Sequence, residues 1–537
     1  MAGLHILDWF VLVGYLAAMV GIGFLFYKDQ KSTKDFFLAG RSMSWLPVGI
    51  SVVATLFSAI SYMAIPSSIQ DYGLIMFAGS LMVFVCVPIV NHVFMPFYNR
   101  MQLYSAYEYL ERRFDVRVRC LASGMFIFWR IVWMAVAVYA PSLALWAATN
   151  GRAPLVPTII MLGLLATFYT VLGGMKAVIW TDVIQFIVLF GGMVVACVFV
   201  VLRVDGGLAA IFHEMHKAGK TAFVGSIPEM TQATGILEKL HAYFFCGNER
   251  VTLLAVLTAS FVGHIAFYTV DQVVVQRYFS TKSLKDAQQS FWFNAFANFS
   301  LQIGLAFLGM SLFAYFLAHP HPDTIQGEPF KPDWKYPYFI ATALPMGFAG
   351  LLIAALYAAT MSSVDSGINS CTTAFMVDFW RRLKFGEVHV SAKSEEGEEA
   401  ERDLRMARYL TLGIGVAVTF LACFVGKLGN IIVIAGKVVN SFCGPMFAIF
   451  VLGMFTRRAR SLAVCLGGLV SLVVMAYLNF RTRLNFQWPS TFGLVIALAL
   501  GYGLSLLEKA PDPEKLDWTF AEQRKLWKGR EQDQKED

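Results

Sequence analysis

Runs of apolar residues long enough to cross about 30 Å of hydrocarbon, roughly 20 residues each, follow one another along most of the chain. They fall near 6–27, 44–72, 74–98, 117–149, 155–173, 178–203, 251–279, 286–318, 337–382, 405–425, 429–456, 460–479 and 488–507. The pattern predicts an all-α polytopic membrane protein with about thirteen transmembrane helices. Two runs are interrupted by polar positions. The second contains Ala54-Thr55-Leu56-Phe57-Ser58-Ala59-Ile60-Ser61 and then Pro66, and the seventh contains Ser260-Phe261-Val262-Gly263-His264 and then Asp271-Gln272. Each opens a block of five spans, over 44–203 and 251–456. An odd number of spans makes the two blocks insert with opposite topology, and broken helices at matching places of inverted blocks point to a transport site at the midplane. A proline kink in the first and a glycine packing contact in the second are the plainer alternatives.

The ninth run carries hydroxyls and a carboxylate at a depth where hydrocarbon is expected. On a helix, Ala359, Ser362, Ser363 and Ser366 fall at i, i+3, i+4 and i+7 and form one stripe, with Asp365 at its edge. Such a stripe is either a close-packing face for another helix or the wall of a cation site.

Composition agrees with membrane residence. The chain is 57% hydrophobic and 15% charged, with a mean hydropathy of +0.60, which excludes soluble enzyme classes. The first run lacks a basic leader and a small-residue cleavage site and is expected to stay as a helix. The eight cysteines are scattered singly, without metal-ligand spacing. The net charge of +7 marks cytoplasmic loops rather than nucleic-acid binding. With the N-terminus outside, the inner segments (28–41, 99–119, 174–177, 277–286, 381–408, 457–461 and the tail) hold about 30 Lys and Arg against about 11 outside, the bias that orients membrane proteins. The acidic tract 394–403 and the tail 508–537 are expected to be mobile cytoplasmic segments, beside one transmembrane domain over 1–507.

Five segments carry a family resemblance: Ala54 to Ser61; Ser105-Ala106-Tyr107-Glu108-Tyr109-Leu110-Glu111-Arg112-Arg113-Phe114; Gly173-Gly174-Met175-Lys176-Ala177-Val178-Ile179-Trp180-Thr181-Asp182-Val183-Ile184-Gln185; Asp271-Gln272 with Val275-Gln276-Arg277-Tyr278; and Met361-Ser362-Ser363-Val364-Asp365-Ser366-Gly367-Ile368-Asn369-Ser370. Together they resemble the sodium:solute symporter family, and their spacing is most similar to its bacterial sialic-acid carriers, which does not fix the solute. The resemblance implies a LeuT-type 5+5 inverted-repeat fold with the first span outside the repeats. It implies a sodium-coupled importer of a small polar solute (a sialic acid, a monosaccharide or a carboxylate) that works by alternating access, not an enzyme, in the cell membrane and as a monomer. A proton-coupled carrier using Asp182 or Asp365, and a passive channel, are the alternatives.

Carried over by position, the main sodium site comprises the carbonyls of Ala54, Phe57 and Ala359 with the hydroxyls of Ser362 and Ser363. Neutral oxygens suit a hard monovalent cation that must also be released. A second sodium position, found in some members, would use Asp182, Ser362, Asp365 and Ser366. Asp365 departs from the hydroxyl those members carry there, and the rival reading places Asp182 and Asp365 in an inner gate. For the solute, Lys437 occupies the place where sugar carriers of the family hold substrate. It could grip a solute carboxylate, pair with Asp182 or Asp365, or snorkel outward. Arg130 is a second intramembrane cation, and Trp133 stands where sialic-acid carriers place a gripping arginine. His264 and Phe267 correspond to a polar contact and an inner aromatic gate, and Ser58, Ser61 and Ser80 are expected to face the same cavity.

Overall fold

The computed structural model describes residues 4–25, 33–223, 235–245, 251–386, 398–428 and 431–526. It is helical apart from a two-residue hairpin, Thr324–Ile325 with Glu328–Pro329. The principal helices are α1 (Ile6–Leu25), α2 (Trp45–Leu56), α3 (Ala59–Tyr72), α4 (Leu74–Met101, with one π turn), α5 (Val116–Ala148), α6 (Leu155–Arg203), α7 (Leu253–Thr269), α8 (Gln272–Phe279), α9 (Leu284–Ala318), α10 (Phe348–Ala374), α11 (Glu398–Ala422), α12 (Ile431–Phe455), α13 (Ser461–Arg481) and α14 (Trp488–Leu507). Among the described residues, nine helices are long and apolar enough to cross a membrane, and two bent pairs join them.

Helix α10 is the axis, buried on every face from residue 352 to 374. It packs on α5, α6 and α11 on one side and on α2 and α8 on the other. Helix α9 covers α2 and α3, while α12, α13 and α14 form an outer layer reached through α5 and α7. Helix α1 lies across α6 and α10. Its Asp8 carboxylate accepts the backbone N–H groups of Gly347 and Gly350, 2.8 Å each, a negative charge at the N-terminus of α10.

The two breaks sit where the chain loses helical dihedrals, which is not where each breaker residue stands. Phe57 and Ser58 are extended, and α2 and α3 are bent by 61°. Pro66 lies inside α3 without breaking it. Helix α9 approaches Pro66 so closely that a Cβ on Gly309 would lie 2.7 Å from the Pro66 carbonyl. In the second pair the run Ser260 to His264 is helical, and the 47° bend falls at Val270 and Asp271. The Asp271 carboxylate then accepts the Val273 N–H at 3.0 Å and caps α8.

Spans 155–173 and 178–203 are the two arms of α6, which meet at a kink at Gly174, whose φ of 56° only glycine adopts freely. Two boundaries differ from the apolar pattern. The ninth run splits into a short helix, Lys335–Ala343, and α10, because Pro345 forces Leu344 into extended geometry. Arg277, counted with an inner loop, lies fully buried in α8.

The segments expected to be mobile are ordered where their charges find fixed partners. Asp403 is buried and pairs with Arg381 at 3.0 Å, whereas 387–397 lies outside the described residues. In the tail, the Trp518 ring faces Arg112 at 4.8 Å, Phe520 packs on Phe97 and Phe455, and Lys515 donates to the Glu111 carbonyl at 3.2 Å. The loop below these contacts is held by a buried ion network. Arg119 contacts Asp378 at 2.8 Å and Glu111 at 2.9 Å, and Arg382 contacts Glu111 at 2.6 Å. The Ser105 and Ser123 hydroxyls donate to Asp378.

Among the described residues, Arg119 is the cation that pairs with both Asp378 and Glu111. Arg119→Met is expected to destabilise the protein by about 3–5 kcal/mol, the cost of leaving buried carboxylates short of a partner. Thermal melting in detergent checks it, and the same variant with Asp378→Asn should recover part of the loss.

Candidate functional site

Helix α2 ends at Leu56, so its last carbonyls have no intrahelical donor. In hydrocarbon such groups need another partner, and α10 supplies one. The Ser363 hydroxyl lies 2.9 Å from the Thr55 carbonyl and 3.1 Å from the Ala359 carbonyl. Ala54 and Phe57 belong to the same unwound end, and Ala54, Phe57, Ala359, Ser362 and Ser363 are all buried. The Ser362 hydroxyl donates to Asp182 Oδ1 at 2.5 Å. Thr55 is the member of this group that position alone did not single out, although it sits in the same polar run.

Beside this group lies a buried charge cluster. Arg277 donates through Nε to Ser51 Oγ at 2.7 Å, through Nη1 to the Val273 carbonyl at 2.7 Å, and through Nη2 to Asp182 Oδ2 at 3.0 Å and to Ser366 Oγ. Ser51 also donates to Asp182, and Thr55 Oγ1 lies 3.0 Å from Ser366 Oγ. The place expected for a second sodium, among Asp182, Ser362, Asp365 and Ser366, is therefore bridged by a guanidinium. The Arg277 guanidinium balances the Asp182 carboxylate there. Asp365 is linked to Arg277 through one hydroxyl: its Oδ2 accepts the Tyr169 hydroxyl at 2.8 Å, and its Oδ1 accepts the Ser366 N–H at 2.5 Å and the Ser366 hydroxyl at 3.1 Å, whose oxygen accepts from Arg277.

Next to the broken ends of α2 and α3 is a cavity of about 320 Å³, within the usual range for small-molecule sites. Ser61, Arg130, His264 and Phe267 line it, as expected. Three other expected residues do not. Ser58 is fully buried with its hydroxyl unpartnered, and Ser80 donates to the Phe77 carbonyl at 2.7 Å. Lys437 places its ammonium 5.4 Å from the Phe480 ring, which is 62% exposed. Its long stem lets the charge leave the interior, so the outward reading of Lys437 is the one this geometry matches.

Arg130 and Asp271 form a buried pair, each about 2% exposed or less. The guanidinium also lies over the Trp129 ring at 4.7 Å and Phe267 at 5.8 Å. Removing one partner of such a pair costs about 3–5 kcal/mol. The cavity gains Trp133, Asn298, Gln302 and Asn440 as lining residues. Asn298 and Gln302 stand at i and i+4 in the apolar run of α9, a polar stripe at helical spacing that was readable in the chain.

The family model described as "Sodium:solute symporter family" matches residues 36–470. The sodium/sialic acid symporter SiaT of Proteus mirabilis is 31% identical over 497 residues, covering 92% of this chain and 94% of SiaT. The sodium/sialic acid symporter NanT of Aliivibrio fischeri is 30% identical over 500 residues, covering 92% of each. A solved Na+-coupled sialic acid symporter, in a substrate-bound outward-open state, superposes with a TM-score of 0.80 at 30% identity, over 95% of this chain and 99% of that one. The nucleobase-cation-symport-1 transporter Mhp1, at 13% identity and a TM-score of 0.52, shares the fold alone. The LeuT-type helical fold is thereby shown.

Arg277→Gln should leave Asp182 as an unpaired buried carboxylate and lower stability in sodium-free buffer by about 3–5 kcal/mol. Added sodium should restore more stability to this variant than it adds to the parent, as the difference in melting temperature between sodium and potassium buffers will report.

Proposed function

This chain belongs to the sodium:solute symporter family and is a multi-pass, sodium-coupled solute carrier rather than an enzyme; from that premise we propose where its ion and its solute bind. One sodium ion sits between the unwound end of α2 and the hydroxyl stripe of α10, on the carbonyls of Ala54, Phe57 and Ala359 and the hydroxyls of Ser362 and Ser363. The observation that carries this is the placement of Ser363 Oγ against the Thr55 and Ala359 carbonyls. A hydroxyl proton there satisfies oxygens that an arriving cation would gather instead. All are neutral, so the ion is held without a charge that would trap it.

The solute occupies the cavity lined by Ser61, Arg130, His264 and Phe267. Thr55 and Phe57 belong both to that wall and to the ion-binding end of α2, so sodium stiffens one side of the solute pocket. Sodium favours the outward-open arrangement, solute binding favours closure, and release of sodium to the inside reopens the carrier there. The membrane potential contributes about 2.3 kcal/mol per charge per 100 mV to uptake.

The protein resides in the cell membrane, with its N-terminus outside and its C-terminus in the cytoplasm, and works as a monomer. The basic bias of the predicted inner segments supports that orientation, as does the packing of the tail on the loop around Arg112.

Replacing both Ser362 and Ser363 by alanine should raise the sodium concentration for half-maximal stabilisation by about tenfold or more, and melting in potassium should fall as well, because Asp182 and the freed Thr55 carbonyl each lose a hydroxyl donor. A sodium titration of melting temperature measures this. Unchanged sodium affinity in a folded double variant refutes the site.

A further inference from the structure

We infer that the solute of this carrier is an uncharged, hydroxyl-rich molecule of the monosaccharide or polyol class, and not a carboxylate. The inference rests on the cavity beside α2 and α3 being the solute site proposed above.

Charge comes first. Arg130 is the one ionic side chain among the residues lining the cavity, and it is already engaged side-on by Asp271 through Nε and Nη2. Asp271 is itself committed, because its Oδ1 also caps α8 through the Val273 N–H. A solute carboxylate that drew Arg130 away would leave Asp271 as a buried charge without a cation, which is strongly unfavourable, and one that took the remaining N–H groups of Arg130 would share a guanidinium already neutralised by Asp271 and be repelled by that carboxylate. Lys437, the other cation expected to meet an anionic solute, points outward to Phe480.

Hydrogen-bonding polarity comes second. His264 Nδ1 lies 2.7 Å from the Ser260 carbonyl. A carbonyl only accepts, so Nδ1 carries the hydrogen, and in the neutral form of the ring Nε2 is then an acceptor. Asn298 is 4% exposed, lines the cavity, and its Oδ1 has no hydrogen-bond partner. Asn440 donates its amide N–H to the Phe486 carbonyl at 2.7 Å, leaving its own oxygen for the cavity. Three acceptors in one pocket call for a solute that donates. A carboxylate group has no hydrogen to give, whereas each hydroxyl both donates and accepts, so these acceptors favour a solute rich in hydroxyls, while the neutralised Arg130 is what disfavours an acid. Gln302, Ser61 and the remaining N–H groups of Arg130 can answer the hydroxyl oxygens, and the Trp133 indole supplies a flat apolar wall for the C–H face of a ring.

The test uses the full-length protein in detergent, melted in sodium and in potassium buffer. D-glucose, D-galactose and myo-inositol serve as neutral probes, with D-glucuronate, D-galacturonate and N-acetylneuraminate as carboxylate probes. At least one neutral probe should raise the melting temperature in sodium and not in potassium, and the half-saturating concentration of its uronic acid should be about a hundredfold higher. Asp271→Asn, which frees Arg130, should shrink that ratio toward one, and Asn298→Leu should abolish the neutral-probe shift while keeping the shift caused by sodium alone. If a carboxylate stabilises more than its neutral counterpart in sodium, the solute class is overturned and sodium coupling stands. If no probe gives a sodium-dependent shift, the assignment of the cavity fails with it.

Discussion

Backbone that leaves the helix inside hydrocarbon has no water to turn to, and this constraint organises the molecule. Both breaks are answered by side chains from elsewhere in the chain or from the break itself. Ser363 of α10 reaches the freed Thr55 carbonyl at 2.9 Å, and Asp271 caps the first turn of α8. Each answer creates chemistry: the first gathers neutral oxygens that suit a sodium ion, and the second places a buried carboxylate at the edge of the cavity. Helix α10 can serve the first break only because it is buried on every face over 352–374.

Buried charges follow the same rule. Asp365 is satisfied by Tyr169 and Ser366, and the two ion pairs nearest the site hang on one short helix. Asp271 at the start of α8 engages Arg130 of the cavity wall, and Arg277 near its end engages Asp182 and Ser366 beside the oxygens proposed for sodium. Through Gln272 the same helix is tied to the inner loop, where its amide bonds the Tyr104 carbonyl at 2.8 Å and the Ala106 N–H at 3.0 Å. Solute pocket, ion site and inner loop thus share α8 as a common strut. A tilt of α8 would change all three together, which gives coupling between ion and solute a mechanical route.

Polar positions in apolar runs proved informative in proportion to how little freedom their side chains have. The stripe of Ser362, Ser363 and Ser366 lies against the α2 break because short hydroxyls can only bond within their own turn or to the helix pressed on them. Long cations were harder to place. Arg277 looked like part of a loop and Lys437 like a ligand, yet the first reaches into the core and the second out of it. Several rotatable bonds let the charge lie far from its Cα. Ser80 was lost to local bonding, because its hydroxyl is satisfied by Phe77 three residues earlier.

The succession of apolar runs and their two polar interruptions determined on their own that this is a helical membrane protein with two broken spans, because hydrocarbon tolerates few other patterns. The stripe on α10 was equally plain, since it follows from helical spacing alone. Tertiary structure alone decided which charge meets which. Arg277 meets Asp182 and Ser366, and Arg130 is engaged by Asp271, a residue 141 positions away in the chain. Pairing of buried charges depends on distances between helices far apart in sequence, and periodicity along one helix carries no information about its neighbour.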